Sequence, residues 1–461
     1  MRINIKEDSR QIELGDIFVA IKGINTDGHD YIDAAIKNGA SKIVANRGSY
    51  DVETEIVPNT KEYLINYLDT YYGKKFDKMK IIGVTGTSGK TTSCFLIYDM
   101  LKKLGRKVAY IGTLGFYVND KIVALNNTTP GIVELYEMFL ECALLDTEII
   151  VMEVSSHALE LDRCGKILFD IGVFTNLSQD HLDFHKDMTS YSLAKQKLFS
   201  KLKNKKDAII NIDDTYYKAF VKENNNNTFF GMNDLADYQI LDYKLLIGKT
   251  TFTLRNNLKN KSYEISLKIP GKYNIYNYLV AFITLHKLGF LEDDILKLID
   301  NLAMPPGRME GIGYKDNVII VDYAHKPDAV KNILESVSEY KENKVITVIG
   351  CGGNRDRTKR PFMGSLATKL SDYVVFTNDN PRTEDEKEIM KDITAGLIAT
   401  NFEVIYDRKL AIEKGISMLS NKDMLLILGK GHENYQIIGT EKKHFDDLEI
   451  VKNYVGGNNG N

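Results

Sequence analysis

The sequence predicts an α/β protein of three domains: a mixed α/β N-terminal domain, a central P-loop ATPase-like parallel sheet with a small β subdomain, and a Rossmann-like C-terminal domain. Three observations predict it. At 461 residues the chain is too long for one ordinary hydrophobic core. From residue 80 onward, short apolar runs alternate with helical periodicity, which is the mark of crossover-connected parallel strands. A glycine-bearing loop, Gly86-Thr87-Ser88-Gly89-Lys90-Thr91-Thr92, lies between one such run and the next helical stretch.

Within residues 1–78, residues 16–21 and 42–45 read as strands and 31–38 as a helix, while the polar stretch 71–78 reads as a linker. The central domain, 79–306, has apolar runs predicting strands at 80–84, 107–111, 148–153, 169–176 and 207–212. Residues 228–268 change to short alternating segments such as Thr250-Thr251-Phe252-Thr253-Leu254, predicting a smaller antiparallel sheet. Met304-Pro305-Pro306-Gly307-Arg308 ends any helix and opens the C-terminal domain, 307–461. Strands recur there at 318–321, 345–349, 373–376 and 425–428 with helices between them, the pattern of a doubly wound sheet. The tail 456–461, rich in Gly and Asn, is predicted to be disordered.

Composition narrows the function. Hydrophobic residues make up 43% and charged residues 27% of a chain with formal net charge −3, and no long basic run appears, so nucleic acid is not an expected partner. Cys94, Cys142, Cys164 and Cys351 are scattered without zinc-type spacing and read as reduced, buried thiols. No stretch approaches the ~18 apolar residues of a membrane span, and the first residues lack the apolar core of a secretory signal. The expectation is a cytoplasmic protein without membrane insertion, monomeric by default.

The loop at 86–92 carries the first chemistry. Glycines let backbone wrap a phosphate, and the following helix points free N–H groups at the anion. Lys90 would reach the β- and γ-phosphates and the Thr91 hydroxyl would ligate Mg²⁺. Val84 stands where the usual pattern has a glycine, so the loop is a shortened variant; a plain tight turn is the other reading. Glu153 ends the strand Ile149-Ile150-Val151-Met152-Glu153, where it is either a Mg²⁺-holding carboxylate or a salt-bridged one. His181, between Asp180 and Asp183 in the segment from Asn176 to His185, is either a metal ligand or structural. Lys195, on a predicted amphipathic helix, would on its own read as a solvated side chain.

These residues fall within motifs by which the sequence resembles the Mur ligase family, nearly end to end. The resemblance is carried by Asp8-Ser9-Arg10 with Gly15-Asp16-Ile17-Phe18-Val19-Ala20, by Thr85 to Thr92, and by Asn127-Thr128-Thr129-Pro130. It continues through Glu153-Val154-Ser155-Ser156-His157, Asn176 to His185 and Asp322-Tyr323-Ala324-His325. Asp379-Asn380-Pro381-Arg382 and Gly429-Lys430-Gly431-His432-Glu433 complete it.

The resemblance implies an ATP-dependent, ADP-producing acid–amino-acid ligase of peptidoglycan biosynthesis. Its substrates would be UDP-N-acetylmuramoyl-L-alanyl-D-glutamate and meso-2,6-diaminopimelate, joined through an acyl phosphate. By the same resemblance Lys90, Glu153, His181 and Lys195 are catalytic, and Thr91, Glu153, His181 and Lys195 surround Mg²⁺, with Lys195 carbamylated to N6-carboxylysine. Asn274, Arg308 and Asp322 would contact ATP along with the loop; Ser9, Asn127, Thr128, Thr129, Ser155 and Arg163 would contact the nucleotide-sugar dipeptide. Arg355, Asp379, Asn380, Pro381, Arg382, Gly429 and Glu433 would hold the diamino acid. A second carboxylate on that substrate needs a fixed cation, which Arg382 and Arg355 supply, while Glu433 pairs with the distal ammonium. Ser88, Leu161 and Lys326 depart from the family pattern. Ligation of meso-lanthionine or L-lysine, a folylpolyglutamate synthetase-like ligase and a slowly hydrolysing P-loop switch are the other readings.

Overall fold

The computed structural model describes residues 2–23, 26–246, 249–269, 271–339 and 341–457. The chain forms two compact units, Met1–Phe229 and Phe230–Asn461.

The first unit opens with a parallel sheet, Ile5–Lys6, Ile17–Val19, Lys42–Ala45 and Glu53–Ile56, its strands side by side in chain order. Successive side chains point to opposite faces. Phe18 and Ile43 therefore pack with Ile32 and Ala35 on one side, while Val19 and Val44 pack with Leu64 and Leu68 on the other. The Asn59 side chain caps helix Thr60–Tyr72 by accepting the Glu62 N–H at 3.1 Å. The predicted linker at 71–78 is corrected here. Tyr72 ends this helix and Gly73–Phe76 is a 3₁₀ turn. Tyr72 and Phe76 are buried, with Phe76 edge-on to Tyr136 and Phe139 at 5.3 and 5.2 Å. Spaced four apart, the two rings face inward while Lys74 and Lys75 lie outward of that core, so a polar-looking stretch is a docked one.

Five parallel strands follow in the spatial order Leu202–Asn211, Phe169–Phe174, Lys80–Thr85, Ile149–Glu153 and Val108–Gly112. Gly115–Val118 and Lys121–Val123 extend the last edge antiparallel. Register sets the site: Val84 lies opposite Glu153 and Thr85 opposite Phe174, so the loop at 86–89, Glu153 and the segment after Phe174 leave the sheet at the same end.

In the second unit, Tyr238–Leu246, Lys249–Asn256 and Lys261–Leu267 pair antiparallel. They are not the separate small sheet expected, because Tyr238 and Gln239 also pair in parallel with Phe230 and Gly231. Helix Lys272–Lys287 lies against these strands through Tyr278 and Phe282, ringed by Phe252, Tyr238 and Tyr263. A six-stranded sheet follows. Glu310–Tyr314 pairs antiparallel with Asn317–Asp322; Met424–Leu428, Val345–Ile349, Tyr373–Phe376 and Phe402–Val404 then continue in parallel. Alternate strand residues feed two cores. Ile320, Ile349, Phe376 and Leu426 meet helices Pro327–Ser338, Arg360–Leu370 and Glu386–Thr394. Ile319, Val348, Val375 and Leu425 meet Arg408–Ser417 and Asp447–Gly457. The doubly wound expectation holds. The predicted disordered tail is corrected in part, because Gly456 and Gly457 close the last helix; residues 458–461 lie outside the described residues.

All four cysteines are buried and unbridged. Among the described residues, no helix is long and apolar enough to cross a membrane.

Candidate active site

Gly86, at φ 150°, leaves strand Lys80–Thr85 against the next segment: a Cβ there would land on the Thr175 hydroxyl and 3.1 Å from the Asn176 amide nitrogen. Gly89, left-handed at φ 84°, starts helix Lys90–Lys103. The loop is pinned from outside by Asn176, whose Oδ1 accepts the Ser88 N–H at 2.9 Å and whose Nδ2 donates to the Ser88 carbonyl at 3.1 Å. Thr175 Oγ1 donates to that same carbonyl at 2.7 Å. Two lysines converge on the loop. Lys90 Nζ donates to the carbonyls of Gly86 and Thr87 at 2.8 and 2.9 Å, and Lys195 Nζ donates to Gly86 at 2.8 Å. Lys195 is 1% exposed and stands 4.5 Å from the Tyr191 ring centre, so it is not the solvated residue its helix alone suggested.

Glu153 is fully buried, and its carboxylate is held on both oxygens. Oε1 accepts the Tyr110 hydroxyl at 2.6 Å and the Thr113 N–H at 2.8 Å; Oε2 accepts the Thr91 hydroxyl at 2.9 Å and Thr113 Oγ1 at 3.3 Å. Burial and the neighbouring carboxylate push the Tyr110 phenol far up, so it stays a donor. Thr91 and Glu153 are hard oxygen donors beside a phosphate loop, a set that fits Mg²⁺, which keeps waters and phosphate oxygens as its other ligands. Among the described residues, no three His, Cys, Asp or Glu side chains gather as a metal cage, so His181 is not clustered with Glu153 in that way. His181, left-handed at φ 54°, lies 3.1 Å from Asp180 and edge-on to His157, ring centres 4.7 Å apart. Burial lowers the His157 pKa, keeping that imidazole neutral.

The residues expected to meet the nucleotide-sugar dipeptide divide. Thr129 Oγ1 donates to the Glu153 carbonyl at 2.9 Å and accepts the Ser155 N–H at 3.0 Å; Arg163 Nη1 donates to the Thr129 carbonyl at 3.0 Å, and Thr128 is 3.2 Å from Thr113. These form one polar band. Ser9 is buried in the first sheet's domain, its carbonyl accepting Asn38 Nδ2 at 2.9 Å, and Asn127 is exposed.

In the second unit, Asp322 is buried at its strand's end and accepts the Met309 and Ala324 N–H groups at 2.8 Å each. Burial raises its pKa and Arg308 opposes that rise. Arg308 lies 5.0 Å from the Tyr323 ring centre. Asn274 is buried near the start of its helix, accepting Asn277 Nδ2 at 3.0 Å. His325 is held down to about 3 by burial and by Lys326 and Lys359.

The amino-acid residues lie on three loops, one with Arg355, one with residues 379–382 and one with residues 429–433. Arg382, at φ 54°, donates through Nη1 to the Gly353 carbonyl at 2.8 Å. Asn380 is buried; its Nδ2 donates to Glu433 at 2.9 Å and its Oδ1 accepts Lys430 Nζ at 3.2 Å. Lys430, fully buried, also pairs with Glu433 at 3.1 Å. Gly429 is left-handed at φ 119°, and a Cβ there would stand 2.8 Å from Asp379 Oδ2. Asp379 is buried, which raises its pKa, and the buried Pro381 leads to Arg382. Arg355 is exposed on the first loop.

Sequence reasoning missed Tyr110, Thr113 and Tyr191, and placed Lys430 within a family motif without assigning it a role. The available signal was placement: Tyr110 and Thr113 flank the end of strand Val108–Gly112, next to the strand that carries Glu153.

Three family models match the chain in order: the Mur ligase family catalytic domain over residues 4–70, the Mur ligase middle domain over 84–285, and the Mur ligase glutamate ligase domain over 307–431. A UDP-N-acetylmuramoyl-L-alanyl-D-glutamate--2,6-diaminopimelate ligase of Clostridium perfringens is 41% identical over 466 residues, covering 98% of this chain and 95% of the relative. The chain belongs to the Mur ligase family. The like-named ligase of Clostridium tetani is 39% identical over 462 residues, covering 98% and 94%. A solved structure of a ligase of that name is 30% identical with a TM-score of 0.72, covering all of this chain and 96% of the other.

Of the departures from the Mur ligase pattern, Ser88 has a local explanation, and nothing in the structure explains Leu161 or Lys326. Val84, which stands where the usual phosphate-loop pattern has a glycine, is buried in its strand, and Asn176 and Thr175 pin the loop that follows. Ser88 takes part through its backbone N–H and C=O. Leu161 presents its carbonyl to Lys61 Nζ at 2.5 Å. Lys326 precedes Pro327 at the start of helix Pro327–Ser338.

Proposed function

We propose that this Mur ligase joins meso-2,6-diaminopimelate to the D-glutamyl carboxylate of UDP-N-acetylmuramoyl-L-alanyl-D-glutamate, consuming ATP and releasing ADP and phosphate. The observation that carries the reading is local. Lys90 and Lys195 converge on the Gly86 carbonyl, and Thr91, next in the chain after Lys90, bonds Glu153, so cations and an oxygen-ligand pair flank one phosphate loop.

In this reading, Lys90 and the N–H groups of 89–91 hold the triphosphate, since those of Thr87 and Ser88 are donated to Asn176. The D-glutamyl carboxylate oxygen attacks the γ-phosphorus and the bond to ADP breaks. The amine of the incoming amino acid then attacks the acyl carbon; phosphate leaves and the amine loses a proton. Both partners of the first step are anions, so the residues act by neutralising charge and fixing position. Thr91 and Glu153 would hold Mg²⁺, with His181 assigned to it by the family resemblance, and the ion would supply charge neutralisation at the phosphates. Tyr110 and Thr113 hold the Glu153 carboxylate in place through hydrogen bonds to both of its oxygens. Lys195, buried on the loop, is the proposed carbamylated lysine, its modification turning an ammonium into an oxygen donor. Asn274, Arg308 and Asp322 are assigned to ATP. Ser9, Asn127, Thr128, Thr129, Ser155 and Arg163 are assigned to the nucleotide-sugar dipeptide. Arg355 and Arg382 would bind the second carboxylate of the diamino acid, with Glu433 for its ammonium and Asp379, Asn380, Pro381 and Gly429 framing both.

We assign these roles to domains 1–78, 79–306 and 307–461, in a monomer acting in the cytoplasm. Phosphate release is the test. It should require ATP, the nucleotide-sugar dipeptide and diaminopimelate together. Release without the amino acid would indicate a hydrolysing switch, and release with folate and glutamate would indicate the folylpolyglutamate synthetase-like ligase.

A further inference from the structure

Arg355 and Arg382 stand on two loops of the second unit, and those loops touch through their backbones. The Gly353 N–H donates to the Asn380 carbonyl at 2.9 Å, and Thr383 donates to Asn354 Oδ1 through N and Oγ1 at 3.1 and 3.0 Å. A Cβ on Gly353 would fall on the Pro381 carbonyl. Arg360 lies at the start of helix Arg360–Leu370 with no exposed surface. Its Nη1 and Nη2 each donate to one oxygen of Glu384 at 2.7 Å, a bidentate fork. Nη2 also donates to the Gly352 carbonyl at 3.1 Å, and Nη1 to Asp392 at 2.8 Å. Glu384 in turn accepts the Asn354 N–H at 2.8 Å.

One buried side chain thus holds the backbone of the first loop, a carboxylate of the second and the helix Glu386–Thr394 behind them. Burying a guanidinium is a poor route to stability, since packed apolar residues of similar volume serve as well or better. Apolar residues cannot fix the distance between two loops through directed hydrogen bonds. Having no exposed surface, Arg360 acts through other residues rather than on the substrate.

We propose that Arg360 is a positioning residue for amino-acid selection: its fork on Glu384 and its bond to Gly352 set the separation of Arg355 and Arg382. A diamino acid with a second carboxylate then meets two cations at a fixed spacing, whereas one lacking that carboxylate leaves them unpaired. The inference rests on the assignment of Arg355 and Arg382 under Proposed function.

The test is steady-state kinetics of Arg360→Lys and Glu384→Gln, varying each of the three substrates in turn. Lysine keeps the charge but lacks the fork. KM for diaminopimelate should rise roughly 10-fold or more in both variants, while KM for ATP and for the nucleotide-sugar dipeptide stays within about twofold. The kcat/KM preference for diaminopimelate over L-lysine should fall by a similar factor. A common rise in all three KM values, or a lower kcat with the preference intact, would mark a merely structural residue and overturn the proposal. If Arg360→Lys fails to fold by circular dichroism, Glu384→Gln decides alone. A wild-type protein that does not use diaminopimelate defeats the assigned function; a selective wild type whose variants stay selective defeats only this inference.

Discussion

Replacing Glu384 by glutamine removes one charge from a buried pair and should destabilise the second unit relative to wild type, by more at neutral pH than in acid. Arg360 holds the Glu384 carboxyl at about 2, against its ordinary 4.5, through two hydrogen bonds of 2.7 Å. Each tenfold change in proton affinity is worth about 1.4 kcal/mol, so the full difference sets a ceiling of roughly 3 kcal/mol. The Glu384 side chain is 16% exposed, and solvent screening brings the expected value to about 2 kcal/mol. The sign follows from the direction. A carboxyl depressed on folding contributes its full stability above 4.5 and loses it as pH falls toward 2; about half is gone near pH 3. The chain has no Trp, so urea unfolding is followed by far-UV circular dichroism. Wild type should lead Glu384→Gln clearly at pH 7, and the gap should shrink by about half near pH 3. An equal gap at both pH values would refute the ion-pair account and leave only lost packing.

The remaining predictions concern the reaction. Lys195→Ala should lose nearly all ligase turnover, measured as phosphate release; wild-type-like turnover would remove Lys195 from the site. Arg382→Ala should lower the preference for diaminopimelate over L-lysine by roughly 100-fold, since a carboxylate pair of this kind contributes on the order of 3 kcal/mol; competition kinetics with unchanged preference would contradict its role. Gly86→Ala should weaken nucleotide binding by about tenfold or more, because the new methyl meets Thr175 and shifts the phosphate loop; calorimetry showing an unchanged Kd would count against the loop as the binding element.

Much of the fold was legible because parallel strands covered on both faces read as continuous apolar runs. Residues 345–349 and 373–376 are strands over the predicted ranges, and 318–321 and 425–428 are each one or two residues short. Edges and joints were harder. The strands Gly115–Val118 and Lys121–Val123 were not predicted: they are four and three residues long, and the apolar residues of the second are exposed, unlike the buried run of a central strand. The stretch at 71–78 hid two buried rings among lysines. In the site, Lys90 and Thr91 were readable because a phosphate loop is a local motif on a strand–helix junction, and Glu153 because it ends an apolar strand run. Tyr110, Arg360 and Lys430 were not, because their roles depend on partners brought close by the fold: Tyr110 meets Glu153 across neighbouring strands, and Arg360 meets Glu384 and Asp392 from separate segments. Lys195 was legible only as part of a family pattern; its helix alone argued for a surface residue, while the structure places it on the Gly86 carbonyl.

The most direct test of the central claim is product formation from a mixture of amino acids. The purified protein is given ATP, Mg²⁺ and UDP-N-acetylmuramoyl-L-alanyl-D-glutamate, with meso-diaminopimelate, meso-lanthionine and L-lysine at equal concentration, and the nucleotide-linked products are resolved by mass spectrometry. The account predicts ADP formation matched one-for-one by a product carrying a diamino acid with two carboxylates, diaminopimelate foremost, and little lysine product. Lysine product in equal amount, or ADP formed without any new amide, would contradict it.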